Sequence, residues 1–405
     1  MSLFMDAPIF DADQHMYEAA DALTRYLPDE YKSAVQFVQV GRHTRIAILG
    51  KITEYIPNPT FDRVAAPGAH EAFYSGNNPE GKTLRQMSGH GMDAVPAFRE
   101  PAARIESLDE QGVQATLIYP TLANLVEHSA AEDPELVVAV IHALNRWMLE
   151  QWGFVHQDRL FMTPVITCAE VDAARRELAW VIENGAKVVL MKPAPAKGLH
   201  GWRSPALPEF DPFWNDVQQA NMPVVLHGSQ PPLSDYVTKW EPSKTNNFQE
   251  VSPFKWVALG HREIADMVTS LICHGTFSRF PKLRVASIEN GSAWIRPLLH
   301  DLAAAHDKMP QAFAEHPVEV MRRNCWVSPF WEGSVEDVVD ALGWDKVMFG
   351  SDYPHPEGLA EPKDYYKYAE GMEEDRARDF MGDNARRFLG LPVTARTSEP
   401  AAAIG

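Results

Sequence analysis

Asp11–His15 (DADQH) follows the short apolar run Pro8–Phe10 near the start of the chain. Side chains alternate between faces along an extended strand, so Asp11, Asp13 and His15 share one face. Three ionisable groups in a row on an inward face cost free energy unless something compensates them. A divalent cation does so by taking carboxylate oxygen and imidazole nitrogen as ligands; the alternative is a strand end tipping into solvent. Two distant stretches end in the same manner. Pro223–His227 (PVVLH) is an apolar run closing on a histidine, either a ligand or a satisfied structural imidazole. Lys346–Asp352 (KVMFGSD) closes on an acid that core packing does not explain, so Asp352 is a helix cap or a functional carboxylate.

Outward from these three, five more runs have the same make-up: Ala115–Pro120, Leu160–Thr167, Ala186–Met191, Leu283–Glu289 and Cys325–Phe330. With Pro8–Asp13 as the first, that makes eight strands. Their near-continuous apolarity indicates a parallel sheet covered on both faces. Helical patterns fill the gaps at Arg104–Gln111, Pro134–Trp152, Val171–Glu183, Pro212–Ala220, Ile264–Phe277, Val335–Leu342 and Glu374–Leu389. Gly112 marks a helix C-cap. Strand alternating with helix predicts an α/β fold, a distorted (β/α)8 barrel with a large insertion after strand 1. An open doubly wound sheet is the alternative, because periodicity does not show closure. Residues 16–103 form the insertion, read as a cap, with a small meander at Val38–Val40, Thr44–Leu49 and Ile52–Ile56 turning at Gly41 and Gly50. Residues 228–260 are loop-like and read as a lid. Both follow the C-terminal end of a strand, where barrels build their sites. The whole reads as one domain over 1–391, with 392–405 as a flexible tail.

Composition narrows the role. The 405 residues are 45% hydrophobic and 23% charged, enough for a large core. A net charge of −18 without a basic cluster disfavours nucleic acid as a partner. No apolar stretch is long enough for a bilayer, and the first residues lack the basic-then-apolar order of a secretory signal. Cys168, Cys273 and Cys325 form no pair of ligand spacing, which suits a reducing, cytoplasmic setting.

These motifs, with Ser278–Val285 before strand 6 and Gly382–Arg386 in the last helix, resemble one branch of the amidohydrolase superfamily. That branch contains aminocarboxymuconate-semialdehyde decarboxylase and the aromatic-acid decarboxylases, and the resemblance runs from Ile9 to about Leu391. It implies one divalent metal, Zn2+ or Mn2+, held by Asp13, His15, His227 and Asp352, with Asp13 replacing the first histidine of the family's strand 1 motif. It also implies that Asp352 transfers protons. Where the family has a histidine closing strand 6, this chain has Glu289, which either moves protons or binds the metal. His355, just past Asp352, is the replacement imidazole; His274 is a lesser candidate. Arg279 and Arg284 could neutralise a substrate carboxylate, though an exposed or structural role suits both arginines better; Lys192 could be a site-facing amine or a loop-entry lysine, and Trp294, Phe330 and Trp331 an aromatic wall or packing under a lid. Two reactions compete: decarboxylation of an aromatic or conjugated small-molecule carboxylate, and hydrolysis of an ester, lactone, amide or C–C acyl bond by activated water. An inactive barrel serving as a binding protein is the third reading. The resemblance makes a homodimer plausible.

Overall fold

The structure, a computed structural model, describes residues 8–230, 234–242, 247–329, 334–369 and 372–393. Seven parallel strands carry the barrel: β1 (Ile9–Met16), β2 (Val113–Pro120), β3 (Leu160–Met162), β4 (Val189–Met191), β5 (Val224–His227), β6 (Val285–Ile288) and β7 (Cys325–Val327). β1 pairs with β2 and β2 with β3; β4, β5, β6 and β7 pair in that order. A bridge from Val165 to Leu190 joins the two halves. The eighth stave, 347–353, bridges β7 at Val327↔Val347 and β1 at Gln14↔Tyr353, so the ring closes. Backbone bonds from Ala12 N to Phe349 O (2.9 Å) and from Asp352 N to Asp13 O (2.7 Å) hold that seam. The expected open-sheet alternative is thereby excluded.

Helices pack outside as the apolar spacing requires. Pro134–Trp152 buries Val137, Val140, Ile141, Leu144 and Met148 along one stripe, and Asp133 caps it by accepting from Leu136 N. Gly112 closes the helix Pro101–Gln111 at φ +69°, a left-handed position that glycine occupies without Cβ strain. Among the described residues no helix is long and apolar enough to cross a membrane.

Four expectations need correction. The last helix is interrupted by a wider turn at Asp379–Asp383, between Glu374–Arg378 and Asn384–Leu389. There Phe380 O accepts from Phe349 N at 3.0 Å, which draws the carbonyl toward the eighth stave, and a Cβ on Gly382 would lie 2.4 Å from Pro8 O. Two helices between β6 and β7, Ile295–Lys308 and Pro317–Asn324, went unread although Ile295, Leu298 and Leu302 lie on one buried face. The segment 228–260 is not all loop, since Pro253–Leu259 is helical, with Ser252 Oγ accepting from Lys255 N. Finally, the meander is shifted, running through Val35–Val40, His43–Ile48 and Lys51–Thr53, although its turns do fall at Gly41 and Gly50. Phe330, Trp331 and most of the expected tail lie outside the described residues.

The segment 16–103 reaches back to the site. His70 N bonds Pro356 O at 2.7 Å and Gly68 N bonds His355 O at 3.3 Å, tying it to the loop after the eighth stave.

Candidate metal centre

At the C-terminal ends of β1, β5, β6 and the eighth stave, five ionisable side chains converge. His15 Nε2 lies 3.1 Å from His227 Nε2, 3.5 Å from Asp13 Oδ1 and 3.3 Å from Asp352 Oδ1. His227 Nε2 is 3.5 Å from Asp13 Oδ1 and 3.1 Å from Glu289 Oε2. His227 terminates an apolar stretch whose burial fixes its direction; Val224, Val225 and Leu226 are fully buried, and His227 follows in register. His227 Nδ1 faces the carbonyl of Gly228 at 2.8 Å. A carbonyl only accepts, so that nitrogen carries the hydrogen and the Nε2 lone pair points into the cluster.

Glu289 and Asp352 share a backbone feature. Their φ angles are +53° and +58°, left-handed values that strain a residue bearing a Cβ. The turn lifts each carboxylate out of its strand and over the barrel mouth. Gly228 makes room for this, because a Cβ there would meet Glu289 O at 2.8 Å.

Electrostatics explain why these groups do not rest as they are. Burial alone raises the Asp13 carboxyl, but the adjoining His15 and His227 outweigh it and leave the pKa lowered. Burial pushes Asp352 well above the carboxylate range, and the charges of Glu289 and Asp13 push the same way. Burial also drives His15 down to about 4. Three carboxyl groups packed this closely, with little water to screen them, repel one another when ionised. Asp13 Oδ1 and both Asp352 oxygens are buried without a hydrogen-bond partner among the described residues. Orphaned oxygens, inward imidazole lone pairs and crowded carboxyl groups are the donor set that a divalent cation satisfies. Asp13, His15 and His227, and likewise His15, Asp352 and His355, each offer ligand atoms within 4.8 Å of one another.

Asp11 shares the motif but not the cluster. The register of β1 against β2 shifts between Asp11 and Gln14. Asp11 accepts from Ser351 N at 2.9 Å, Ser351 Oγ at 2.5 Å and Gln14 Nε2 at 2.9 Å, so it rivets β1 to the eighth stave.

His355 stacks on His15, with ring centroids 3.8 Å apart, and places Nδ1 at 2.9 Å from Asp352 Oδ1. Above it opens a cavity of about 370 Å3, lined at its floor by Glu289, His355 and Glu357. Tyr17, Tyr55, Phe61, Tyr74, Phe248 and Trp256 form its aromatic sides. Other expected site residues lie elsewhere. Arg279 donates to Asp211 Oδ1 at 2.8 Å and to His274 O at 2.6 Å, and it does not line the cavity. Arg284 is bound to Asn221 O and Phe388 O. Trp294 is buried, with its Nε1 on Gly291 O at 3.1 Å, so it is a packing residue. His274 bonds Ser270 Oγ at 2.8 Å, away from the site. Lys192 borders a separate small hollow with Glu127 and Thr167. Trp331 lies outside the described residues. The sequence reading missed Tyr17, Tyr55, Glu357 and His261 as cavity residues; only Glu357, in the motif after Asp352, carried any signal.

The sequence profile of the amidohydrolase family matches residues 11–391. The chain belongs to the amidohydrolase family. A solved amidohydrolase from Mycobacterium avium subsp. paratuberculosis K-10 is similar at 35% identity and a TM-score of 0.89, covering 95% of this chain and all of that one. A dihydroxybenzoic acid decarboxylase from Polaromonas sp. JS666, solved with bound manganese and the inhibitor 2-nitroresorcinol, shares the fold. Its TM-score is 0.61 at 16% identity, over 95% of this chain and 97% of that one. The 2-amino-3-carboxymuconate-6-semialdehyde decarboxylase of Dictyostelium discoideum is 27% identical over 146 residues. That match spans 34% of this amidohydrolase and 39% of the Dictyostelium enzyme.

Proposed function

We propose that this amidohydrolase is a non-oxidative decarboxylase of an aromatic or conjugated carboxylic acid. It works with one divalent cation, Mn2+ or Zn2+, held by Asp13, His15, His227 and Asp352. The observation that carries the reading is the convergence of these four side chains, with partnerless buried oxygens, beneath an aromatic-walled cavity. The manganese and the aromatic ligand of the Polaromonas enzyme, on the same fold, support it.

A cation held by Asp13, His15, His227 and Asp352 would supply positive charge able to hold and polarise an acid group. Tyr17, Tyr55 and Phe61 pack the conjugated body, and the segments 16–103 and 228–260 act as cap and lid that keep water out. Asp352 or Glu289 delivers a proton to the carbon as the C–C bond breaks and CO2 leaves.

Hydrolysis is the second reading, and Glu289 favours it. A carboxylate 3.1 Å from His227 Nε2 at the cavity floor is placed to take a proton from an attacking water. Purified protein assayed for CO2 release from hydroxybenzoates, beside a panel of esters and lactones, separates the two. CO2 from at least one aromatic acid is expected; hydrolysis alone would replace the first reading with the second. Metal content of wild type and Asp352→Asn tests the centre. One equivalent in wild type and a loss in the variant are expected, and unchanged stoichiometry would remove Asp352 from the ligands.

A further inference from the structure

Glu289, His355 and Glu357 line the cavity, whereas Asp13, His15, His227 and Asp352 do not. The latter four are at most 2% exposed, while the Glu289 and Glu357 side chains are 18% and 12% exposed. A cation on the deeper four would sit beneath the floor that a substrate meets. That floor is acidic. Among the described lining residues the lysines and arginines are Lys255 and Arg63, and backbone carbonyls engage both. Lys255 Nζ donates to Asn247 O at 3.2 Å and Glu250 O at 2.9 Å. Arg63 Nη2 donates to His90 O and Gly91 O, both at 3.1 Å. An anionic substrate would thus meet carboxyl groups unless a cation stood over them.

Glu289, Asp352, His355 and Glu357 each offer a ligand atom, all within 4.8 Å of one another. Asp352 stands between this set and the deeper one, its Oδ1 lying 2.9 Å from His355 Nδ1 and 3.3 Å from His15 Nε2. Both Asp352 oxygens are buried without a hydrogen-bond partner among the described residues. A carboxylate so placed has an oxygen to give to each of two cations. His355 Nδ1 is likewise buried and unpartnered, and Thr121 Oγ1 steadies the ring from behind, 3.1 Å from Nε2. Glu357 reaches the set because its loop doubles back over Asp352. Leu359 N donates to Ser351 O at 2.9 Å, and a Cβ on Gly358 would lie 2.6 Å from Asp352 O. His70 of the cap stands behind, with Nδ1 3.9 Å from Glu357 Oε2.

We propose that Glu289, His355 and Glu357 form a second divalent-cation site, bridged to the first by Asp352, and that this outer cation receives the substrate's acid group. The proposal rests on the reading of Asp13, His15, His227 and Asp352 as ligands of a first cation. Three carboxyl groups and an imidazole are a donor set that suits Mn2+. Cations paired in this way stand about 3.5–4 Å apart. The outer donors are partly open to water and the inner cation repels a second, so the outer site is the weaker. It fills when Mn2+ is added, and the protein as purified keeps the inner cation alone.

Metal-stripped, full-length protein titrated with Mn2+ provides the test, read by metal analysis after equilibrium dialysis and by electron paramagnetic resonance. Two equivalents are expected, the second weaker, and the isolated-ion signal of the first should give way to that of an exchange-coupled pair. Glu357→Gln should lose the second equivalent and the coupling while keeping the first. His355→Phe, which preserves a ring on His15, should do the same. The coupling in wild type is read without any variant. A single equivalent at saturating Mn2+, a second that is uncoupled, or a second that survives both variants overturns the proposal and leaves the first cation standing. Wild type that binds no Mn2+ at all overturns both sites.

Discussion

Gly350 shows how little room the centre leaves. A Cβ built there would lie 2.5 Å from Ser328 Oγ and 2.8 Å from Asp13 Cβ. Neither neighbour can move freely, since Asp13 is buried and its backbone carbonyl is bonded to Asp352 N. Gly350→Ala should therefore cost about 1–3 kcal/mol of stability by overpacking. It should also weaken metal binding, because the atom displaced belongs to a proposed ligand. Denaturant unfolding and metal titration of the variant check both; a stable variant with intact affinity would show that Asp13 has slack. At this scale the sequence was legible where an apolar run stopped at an ionisable residue, as at His227 and Asp352. It was not legible at Thr121, Tyr55 or His261, whose relevance depends on partners far away in the chain, such as His355 for Thr121. Arg279 shows the same dependence: its guanidinium, a tentative substrate contact in sequence, is bound once Asp211 is beside it.

Among the elements, the junction of β1 with the helix Pro101–Gln111 deserves a test because it steadies His15. Arg104, fully buried, donates to Ala97 O at 2.7 Å, Gln14 Oε1 at 3.1 Å and His15 O at 2.7 Å. Its burial is costly enough to lower the guanidinium to about 10. Three acceptors and a planar fork make lysine a poor substitute. Arg104→Met should leave those acceptors without a donor and lose about 2–4 kcal/mol. Arg104→Lys should recover part of that, and in both variants metal affinity should drop because the end of β1 loosens. Chemical denaturation and metal stoichiometry give the measurement, and a variant as stable as wild type would refute the role. Element types were readable from period and composition, and the helices Pro134–Trp152, Val171–Glu183 and Val335–Leu342 match their expected bounds. The break at Asp379–Asp383 was not readable, because it answers to the strand packed beneath it rather than to its own residues.

For the whole molecule, buried acids set a pH dependence of stability. Burial raises the Glu18 carboxyl from 4.5 to about 8, with Leu122 N–H partly offsetting it. The folded chain therefore keeps that proton up to about pH 8, whereas the unfolded chain releases it near 4.5. Between those values the folded state binds more protons, so this contribution to stability falls as pH rises and is level outside the window. Its size is on the order of a few kcal/mol. Glu263, raised to about 8 chiefly by burial, acts in the same direction. Thermal midpoints followed from pH 4 to 9 should decline less steeply in Glu18→Gln than in wild type; parallel curves would mean that Glu18 is ionised in the folded state.

The sequence by itself determined the repeating strand–helix order, the inward apolar runs and the acids and histidines that end them, because local periodicity and burial preference are properties of short segments. Closure of the ring, the left-handed turns at Glu289 and Asp352, and the diversion of Asp11 to Ser351 were decided only by the tertiary structure. Each of these depends on groups brought together from opposite ends of the chain, and the free energy of such a meeting is written in no single stretch of it.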